Sequence, residues 1–128
     1  MRVGIAGYGV VGKTRYTSIK KNTSFKIIAV SESNQETQKD IPKGIEIFDT
    51  YQDLLANTQL DIIFISLPNK LAAEATSLSL QKGLHVFCEK PPARTLSELT
   101  SVQAILSKHP NLKLMYGFNH RFHLSVEE

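Results

Sequence analysis

The sequence has one cysteine, no apolar run approaching 20 residues and no block of basic residues. Because Cys88 is the only thiol, no internal disulfide forms, and a reducing, cytoplasmic setting is expected. Without a long apolar run we expect no membrane-spanning helix, and Met1 leads into a predicted strand rather than a secretory leader. The net charge of +3 is dispersed, with Lys20-Lys21 as the only adjacent basic pair. No nucleic-acid-binding surface is therefore expected.

Apolar segments of strand length alternate with longer segments of helical character along the 128 residues. The predicted strands are Arg2–Ala6, Phe25–Val30, Ile45–Phe48, Ile62–Ile65, His85–Cys88 and Lys113–Gly117. The predicted helices are Val11–Lys21, Tyr51–Asn57, Lys70–Lys82 and a last one ending near His109, while 33–43 is predicted to be a loop or one helical turn. This alternation predicts an α/β chain, a three-layer Rossmann fold whose doubly wound, mostly parallel sheet has six strands.

Short polar side chains stand at the predicted helix starts. Either Thr50 or Asp49 is predicted to cap the helix that follows the third strand, and either Thr95 or Ser97 to cap the last helix. Asn69 is a candidate cap for the helix after the fourth strand, although capping alone would then explain it. The sequence leaves both pairs of alternatives open.

The first strand leads into a glycine-rich turn, Gly7-Tyr8-Gly9-Val10-Val11-Gly12, which opens the first helix. The first glycine permits the sharp turn, the second lets a phosphate approach the backbone, and the third lets the helix pack close to the strand. Free N–H groups near Val10 and Val11 and the positive end of the helix dipole suit a dinucleotide pyrophosphate. A glycine turn without a ligand is the alternative. Tyr8 either covers the cofactor or lies on the surface.

An acidic residue, Glu32, ends the second predicted strand about 20 residues past the glycine turn. A carboxylate at this point can accept hydrogen bonds from both ribose hydroxyls of NAD, and it repels the 2′-phosphate of NADP. No arginine follows, since the next residues are Ser33 and Asn34, so NAD is predicted in preference to NADP. A solvated turn carboxylate is the alternative, and the serine leaves the use of both nucleotides open.

Two other strand ends carry polar segments. Ser66-Leu67-Pro68-Asn69 follows the fourth strand, at the edge where ligands bind in such sheets. Glu89-Lys90-Pro91-Pro92 follows the fifth strand. A lysine in a cleft here can donate a proton to a substrate oxygen or accept one from it. For an isolated Lys-Pro pair, a surface lysine in a proline turn is the alternative.

Taken together, these elements resemble the N-terminal domain of the glucose–fructose oxidoreductase/inositol dehydrogenase/MocA family. The resemblance covers essentially the whole chain, and its most specific part is the Glu-Lys-Pro block in register behind the glycine turn. The segments that carry it are the glycine turn, Glu32, residues 60–69 (LDIIFISLPN), residues 83–91 (GLHVFCEKP) and residues 117–122 (GFNHRF). One departure is Ala72, where the family commonly has a histidine.

The resemblance implies an NAD(P)-dependent oxidation or reduction of a hydroxyl on a sugar, cyclitol or nucleotide-sugar. It also implies that Lys90 lies at the junction of cofactor and substrate and takes part in proton transfer, and that Asn119 and Arg121 line the nicotinamide side. The cofactor-binding residues expected on all these grounds are Gly7, Tyr8, Gly9, Val10, Val11, Gly12, Glu32, Ser66, Leu67, Pro68, Asn69, Glu89, Lys90, Asn119 and Arg121. His120 and His123 have HxxH spacing but no further ligand at a defined spacing, so no metal site is predicted.

The family's second domain, which carries most of the substrate pocket, has no counterpart in the 128 residues. Residues 1–117 are therefore predicted to form the NAD(P)-binding domain, and 118–128 to begin the connection to a substrate domain. We expect this chain to bind NAD without turnover and as a monomer, within a parent enzyme that is a homo-oligomer and takes a small sugar-type substrate. A stand-alone nucleotide-sensing module without catalysis is the alternative.

Overall fold

The structure is a computed structural model, and it describes residues 1–122. The strands are β1 (Arg2–Ala6), β2 (Lys26–Ser31), β3 (Glu46–Phe48), β4 (Ile62–Ile65), β5 (His85–Cys88) and β6 (Leu114–Tyr116). The helices are α1 (Val10–Ile19), α2 (Gln35–Gln38), α3 (Tyr51–Asn57), α4 (Asn69–Gln81) and α5 (Leu96–Ser107), followed by a 3₁₀ turn at Asn119–Phe122.

The six strands form one sheet in the order β3-β2-β1-β4-β5-β6, and every neighbouring pair is parallel. The order runs outward from β1 in both directions, which is the doubly wound arrangement of a Rossmann fold. The predicted fold class is therefore confirmed. Because all strands are parallel, their carboxyl ends meet at one edge of the sheet, and the chain turns there into the following helix.

Alternating side chains of the buried strands enter two separate apolar layers. On one face Val3 and Ile5 of β1 pack with Ile19 of α1. On the other face Ile63 and Ile65 of β4 pack with apolar residues of α3, α4 and α5. A strand that is buried on both faces needs apolar residues at consecutive positions, which accounts for the uninterrupted run over β4. The sheet between two helical layers gives the predicted three-layer architecture.

The cap alternatives are resolved in favour of threonine in both cases. The Thr50 side chain accepts a hydrogen bond from the Asp53 N–H, and the Thr95 side chain accepts one from the Glu98 N–H. The proposed cap at Asn69 is wrong, because Pro68 occupies the N-cap position of α4 and Asn69 is its first helical residue. The segment 33–43 was predicted to be a loop or one helical turn, and it contains one helical turn, α2.

Two absences hold for residues 1–122. No helix in this part of the chain combines the length and the apolar character that crossing a membrane requires. Nor does any group of three or more histidine, cysteine, aspartate or glutamate side chains converge there as metal ligands would. His123, half of the HxxH pair, lies outside the described residues, as does most of the segment 118–128.

Candidate functional site

A groove of about 530 Å³ lies at the carboxyl edge of the sheet, where β1 to β4 end. Its walls come from the glycine turn after β1, the end of β2, the loop between β3 and α3, and the segment after β4. The lining residues are Gly7, Gly9, Ser31, Glu32, Ser33, Asp49, Thr50, Tyr51, Gln52, Ser66, Leu67, Pro68, Lys70 and Leu71. The groove therefore brings together residues from four different strand ends.

Two glycines in the turn are required by close backbone contacts. Gly7 has φ +90°, and a Cβ at this position would lie 2.5 Å from the carbonyl oxygen of Ser66. A Cβ at Gly12 would overlap the carbonyl oxygen of Gly7. The absence of side chains thus lets β1 turn sharply beside β4 and lets α1 start directly above the turn.

Gly9 differs from these two glycines, because a Cβ there would meet no atom within 4 Å. It is the N-cap residue of α1 and offers no side-chain acceptor to the first-turn N–H groups. Val10 and Val11 follow it with 84% and 48% of their surfaces exposed. The open space, the unaccepted N–H groups and the positive end of the helix dipole coincide at this point, which is where a phosphate group binds best.

The Glu32 carboxylate is held beside the glycine turn. Its Oε2 accepts a hydrogen bond from the Tyr8 N–H at 2.9 Å, and its Oε1 accepts one from the Asn34 N–H at 2.9 Å. The side chain is half-buried and lines the groove. Two backbone donors therefore fix the position of a negative charge at the end of β2.

Two serine hydroxyl groups along the groove are buried and have no hydrogen-bond partner within residues 1–122. They are Oγ of Ser31, the last residue of β2, and Oγ of Ser66, the first residue after β4. Both serines line the groove. A buried hydroxyl without a partner costs free energy, and a polar ligand in the groove would remove that cost.

The side chain of Tyr8 has neither of the two positions considered from the sequence. It is 3% exposed and packs in the apolar layer beneath α1, edge to face with Tyr16 at 5.9 Å between ring centroids. Burial is the main reason that the pKa of Tyr8 is raised. Only the backbone N–H of Tyr8 faces the site, through Glu32.

A second cluster forms beyond β5 and β6, around Glu89. The Glu89 carboxylate pairs with Arg15 of α1, and Arg15 Nη2 donates to the side-chain oxygen of Asn119 at 3.3 Å. The Arg15 guanidinium also lies over the ring of Phe87, 4.7 Å from its centroid. A Cβ at Gly117 would lie 2.6 Å from Glu89 Oε2, so the absence of a side chain there makes room for this carboxylate. Three segments of the chain, α1, the end of β5 and the segment after β6, therefore meet at one ion pair.

Lys90 follows Glu89, and its side chain is exposed. Within residues 1–122 Lys90 therefore lies on the surface, and its predicted place in a cleft between cofactor and substrate stays a prediction. Arg121 is also exposed, and neither residue lines the groove. Among the predicted residues after β4, Leu67 and Pro68 line the groove, whereas Asn69 is exposed outside it.

Residues 1–118 match the model of the Gfo/Idh/MocA oxidoreductase family with an NAD-binding Rossmann fold. The chain belongs to this family. It is 34% identical to the uncharacterized oxidoreductase YrbE of Bacillus subtilis over 93% of its own length and 36% of the relative. It is 30% identical to D-xylose 1-dehydrogenase (NADP(+)) 2 of Haloferax volcanii, over 98% of the chain and 38% of the relative.

A solved structure of the family has the same fold over this domain. Scyllo-inositol dehydrogenase from Lactobacillus casei, with bound NAD(H) and scyllo-inositol, superposes with a TM-score of 0.90 and 29% identity. The match covers 98% of this chain and 38% of the dehydrogenase. The chain therefore spans a little over a third of the length of the relatives it matches. The sequence-based assignment to the Gfo/Idh/MocA family and to an NAD-binding domain is confirmed.

Several residues of the groove are not among the site residues predicted from the sequence. Asp49, Tyr51 and Gln52 line the groove, whereas the sequence pattern after β3 indicates only a helix start. Their signal was available, since every strand of a parallel sheet ends at the same edge as Glu32. No sequence feature indicated the role of Arg15, because its partner Glu89 is 74 positions away along the chain.

Proposed function

We propose that residues 1–117 are the cofactor-binding domain of an oxidoreductase that oxidises or reduces a hydroxyl of a sugar, cyclitol or nucleotide-sugar. In this proposal 118–128 begin the connection to a substrate domain. The observation that carries it is the coincidence of an open position at Gly9, the uncapped start of α1 and the Glu32 carboxylate along one groove. Relatives that act on inositol and xylose support the substrate class.

The residues present fit a dinucleotide. A pyrophosphate would lie against the backbone of Gly9, where even a methyl group would have no neighbour within 4 Å, and would accept hydrogen bonds from the first turn of α1. The adenosine half would extend along the groove toward the ends of β2 and β3. The buried hydroxyl group of Ser31 is available there to a polar ligand, and that of Ser66 is available beside the end of β4.

We propose NAD rather than NADP as the preferred nucleotide. Glu32 is already fixed by the Tyr8 and Asn34 N–H groups, so its remaining lone pairs can accept hydrogen bonds from ribose hydroxyls without further ordering. The same charge disfavours a 2′-phosphate. Family members of both kinds exist, since the scyllo-inositol dehydrogenase structure contains NAD(H) and the xylose dehydrogenase carries NADP(+) in its name.

The nicotinamide, when bound, supplies the hydride acceptor or donor. The chain's own contribution to the chemistry is Lys90, which we propose exchanges a proton with the substrate oxygen. Arg15 and Glu89 fix the chain one residue before Lys90, and Asn119 joins the same cluster. Arg121 and Asn119 are proposed to line the nicotinamide side.

Because Lys90 is exposed, a substrate would need further protein to hold it against the nicotinamide. We therefore propose that the 128-residue chain binds NAD without turnover. Separately, we propose that this chain is a monomer and that an enzyme combining it with a substrate domain is a cytoplasmic homo-oligomer.

Titration of the purified chain with NADH and NADPH, followed by nucleotide fluorescence, tests the proposal. Wild-type chain is expected to bind NADH more tightly than NADPH. Glu32→Gln is expected to weaken NADH binding by about tenfold, because hydrogen bonds from the ribose to a charged acceptor are lost. The Glu46→Gln variant, which removes the same charge at the opposite end of the neighbouring strand β3, is the matched control and should bind NADH like wild type.

The outcomes separate the parts of the proposal. Failure to bind either nucleotide would contradict a cofactor domain, and tighter binding of NADPH would contradict the role of Glu32. Sugar-dependent NADH production by this chain would contradict the proposed absence of turnover.

A further inference from the structure

We infer that Asp49 is a second determinant of nucleotide choice, and that its carboxylate acts with Glu32 against a 2′-phosphate. This inference rests on the proposed function. It concerns the loop between β3 and α3, where the sequence pattern indicated only a helix cap.

The pairing of β2 and β3 brings the two carboxylates to the same end of the groove. Ser31 is in register with Phe48, and the Glu32 N–H donates to the Phe48 carbonyl at 2.9 Å. Glu32 and Asp49 are therefore the first residues after two neighbouring parallel strands, whose backbones lie about 4.8 Å apart. Both line the groove.

Gln38 of α2 holds Asp49 in this position. Its Nε2 donates to Asp49 Oδ1 at 2.8 Å and to the Glu32 carbonyl at 2.6 Å. Within residues 1–122 no lysine or arginine forms an ion pair with Asp49. The charge is thus fixed by a neutral partner and is not neutralised.

An independent observation indicates that this end of the groove receives a polar ligand. Ser31 is 2% exposed, it lines the groove, and its Oγ has no partner in the described part of the chain. Ser31 immediately precedes Glu32. A ribose hydroxyl can hydrogen-bond to such a group, whereas a phosphate in the same place would face two carboxylates.

The charged residues that line the groove favour NADH over NADPH. Glu32 and Asp49 are its acidic residues, and Lys70 of α4 is its basic residue. Lys70 follows β4, and β1 separates β4 from β2 in the sheet. A 2′-phosphate carries a charge of about −1.5 to −2 at neutral pH. Removing one of two nearby carboxylates should therefore change its binding by about five- to tenfold at low salt.

Asp49→Asn tests the inference, because the amide oxygen can still accept the hydrogen bond from Gln38 while the charge is lost. NADH and NADPH are titrated by fluorescence at about 20 mM and about 300 mM ionic strength. At low salt the variant is expected to bind NADPH five to ten times more tightly than wild type, with NADH binding changed less than twofold. The gain should shrink at high salt, because screening weakens the repulsion.

Two further variants make the result decisive. Glu46→Gln removes the same charge from the other end of β3 and should leave both affinities unchanged. Gln38→Met removes the hydrogen bond to Asp49 and the one to the Glu32 carbonyl, and it should give a smaller gain in NADPH binding. The Gln38 variant also tests the inference if Asp49→Asn does not fold.

An unchanged NADPH-to-NADH ratio in Asp49→Asn would overturn the inference while leaving NAD binding intact. An equal gain in Glu46→Gln would overturn it too, since net charge rather than position would then be responsible. If wild-type chain binds neither nucleotide, the proposed function fails and this inference fails with it.

Discussion

Gly9 and Gly12 lie three residues apart in one turn, yet an added methyl group would meet opposite surroundings at the two positions. At Gly9 it would enter open space, and at Gly12 it would overlap the Gly7 carbonyl oxygen. Gly12 is therefore required by the fold, whereas Gly9 is left open for the proposed contact with the ligand. This separation allows a matched pair of substitutions.

Gly12→Ala is expected to lower the free energy of unfolding by about 3 kcal/mol, because backbone atoms must move to admit the methyl group. Gly9→Ala should change it by less than about 1 kcal/mol, since reduced chain entropy in the unfolded state offsets poorer capping. The same Gly9 variant should lose about tenfold or more in NADH affinity. Urea unfolding and NADH titration of both proteins measure these effects.

Each of the two variants serves as the control for the other, because both add one methyl group to the same turn. A Gly9→Ala protein that binds NADH like wild type would show that the open space is not where the pyrophosphate lies.

Individual contacts across the sheet could not be predicted from the sequence. Glu89 was recognised as part of a motif, but its partner Arg15 belongs to α1 and has no sequence feature that distinguishes it from a surface arginine. The burial of Tyr8 was missed for a related reason. Its side chain leaves the glycine turn toward the layer under α1, and only the three-dimensional path of the turn determines that direction.

At the level of elements, the boundaries of strands buried on both faces were predicted best. β4 and β5 have the predicted bounds, since consecutive apolar residues mark all of β4 and all of β5 after His85. β6 is shorter than predicted, at Leu114–Tyr116, because its pairing with β5 extends only from Val86 opposite Leu114 to Cys88 opposite Tyr116. The capping residue at each helix start could not be chosen from the sequence, since several short polar residues near the start can act as caps.

The start of α5 gives a testable case. Thr95→Ala is expected to cost about 1 kcal/mol of unfolding free energy, because Thr95 Oγ1 accepts the Glu98 N–H at 3.2 Å. Ser97→Ala, two residues later inside the helix, should cost less than about 0.5 kcal/mol. Urea unfolding of the two variants compares them directly. Equal losses would contradict the assignment of Thr95 as the cap.

At the scale of the whole molecule, the two edges of the sheet have different roles. The candidate site occupies the carboxyl edge, whereas Arg2 and Asp61 form an ion pair at the start of β1 and β4. Hydrogen bonds from the side chain and the backbone N–H of Arg2 lower the pKa of Asp61 to about 2. This pair can therefore affect stability without touching the groove.

The expected acid response follows from the sign of that shift. Because the pKa of Asp61 in the folded chain lies below its ordinary value of 3.8, the pair stabilises the fold above pH 4 and stops doing so as the pH falls toward 2. Asp61→Asn should therefore make stability less dependent on pH between 4 and 2, while NADH binding at pH 7 stays unchanged. Thermal unfolding across this range, with Glu46→Gln as the charge-matched control, measures it. An acid response as steep as that of wild type would contradict the role of the pair.

The strands at the two sides of the sheet, β3 and β6, have only three residues each. An outermost strand exposes one row of unpaired backbone groups, and such rows are the templates on which chains aggregate into extended β-structure. Three residues provide too few hydrogen bonds to nucleate that growth, even though Ile47 and Met115 are exposed there. The brevity of these two strands is thus a built-in protection against fibril formation.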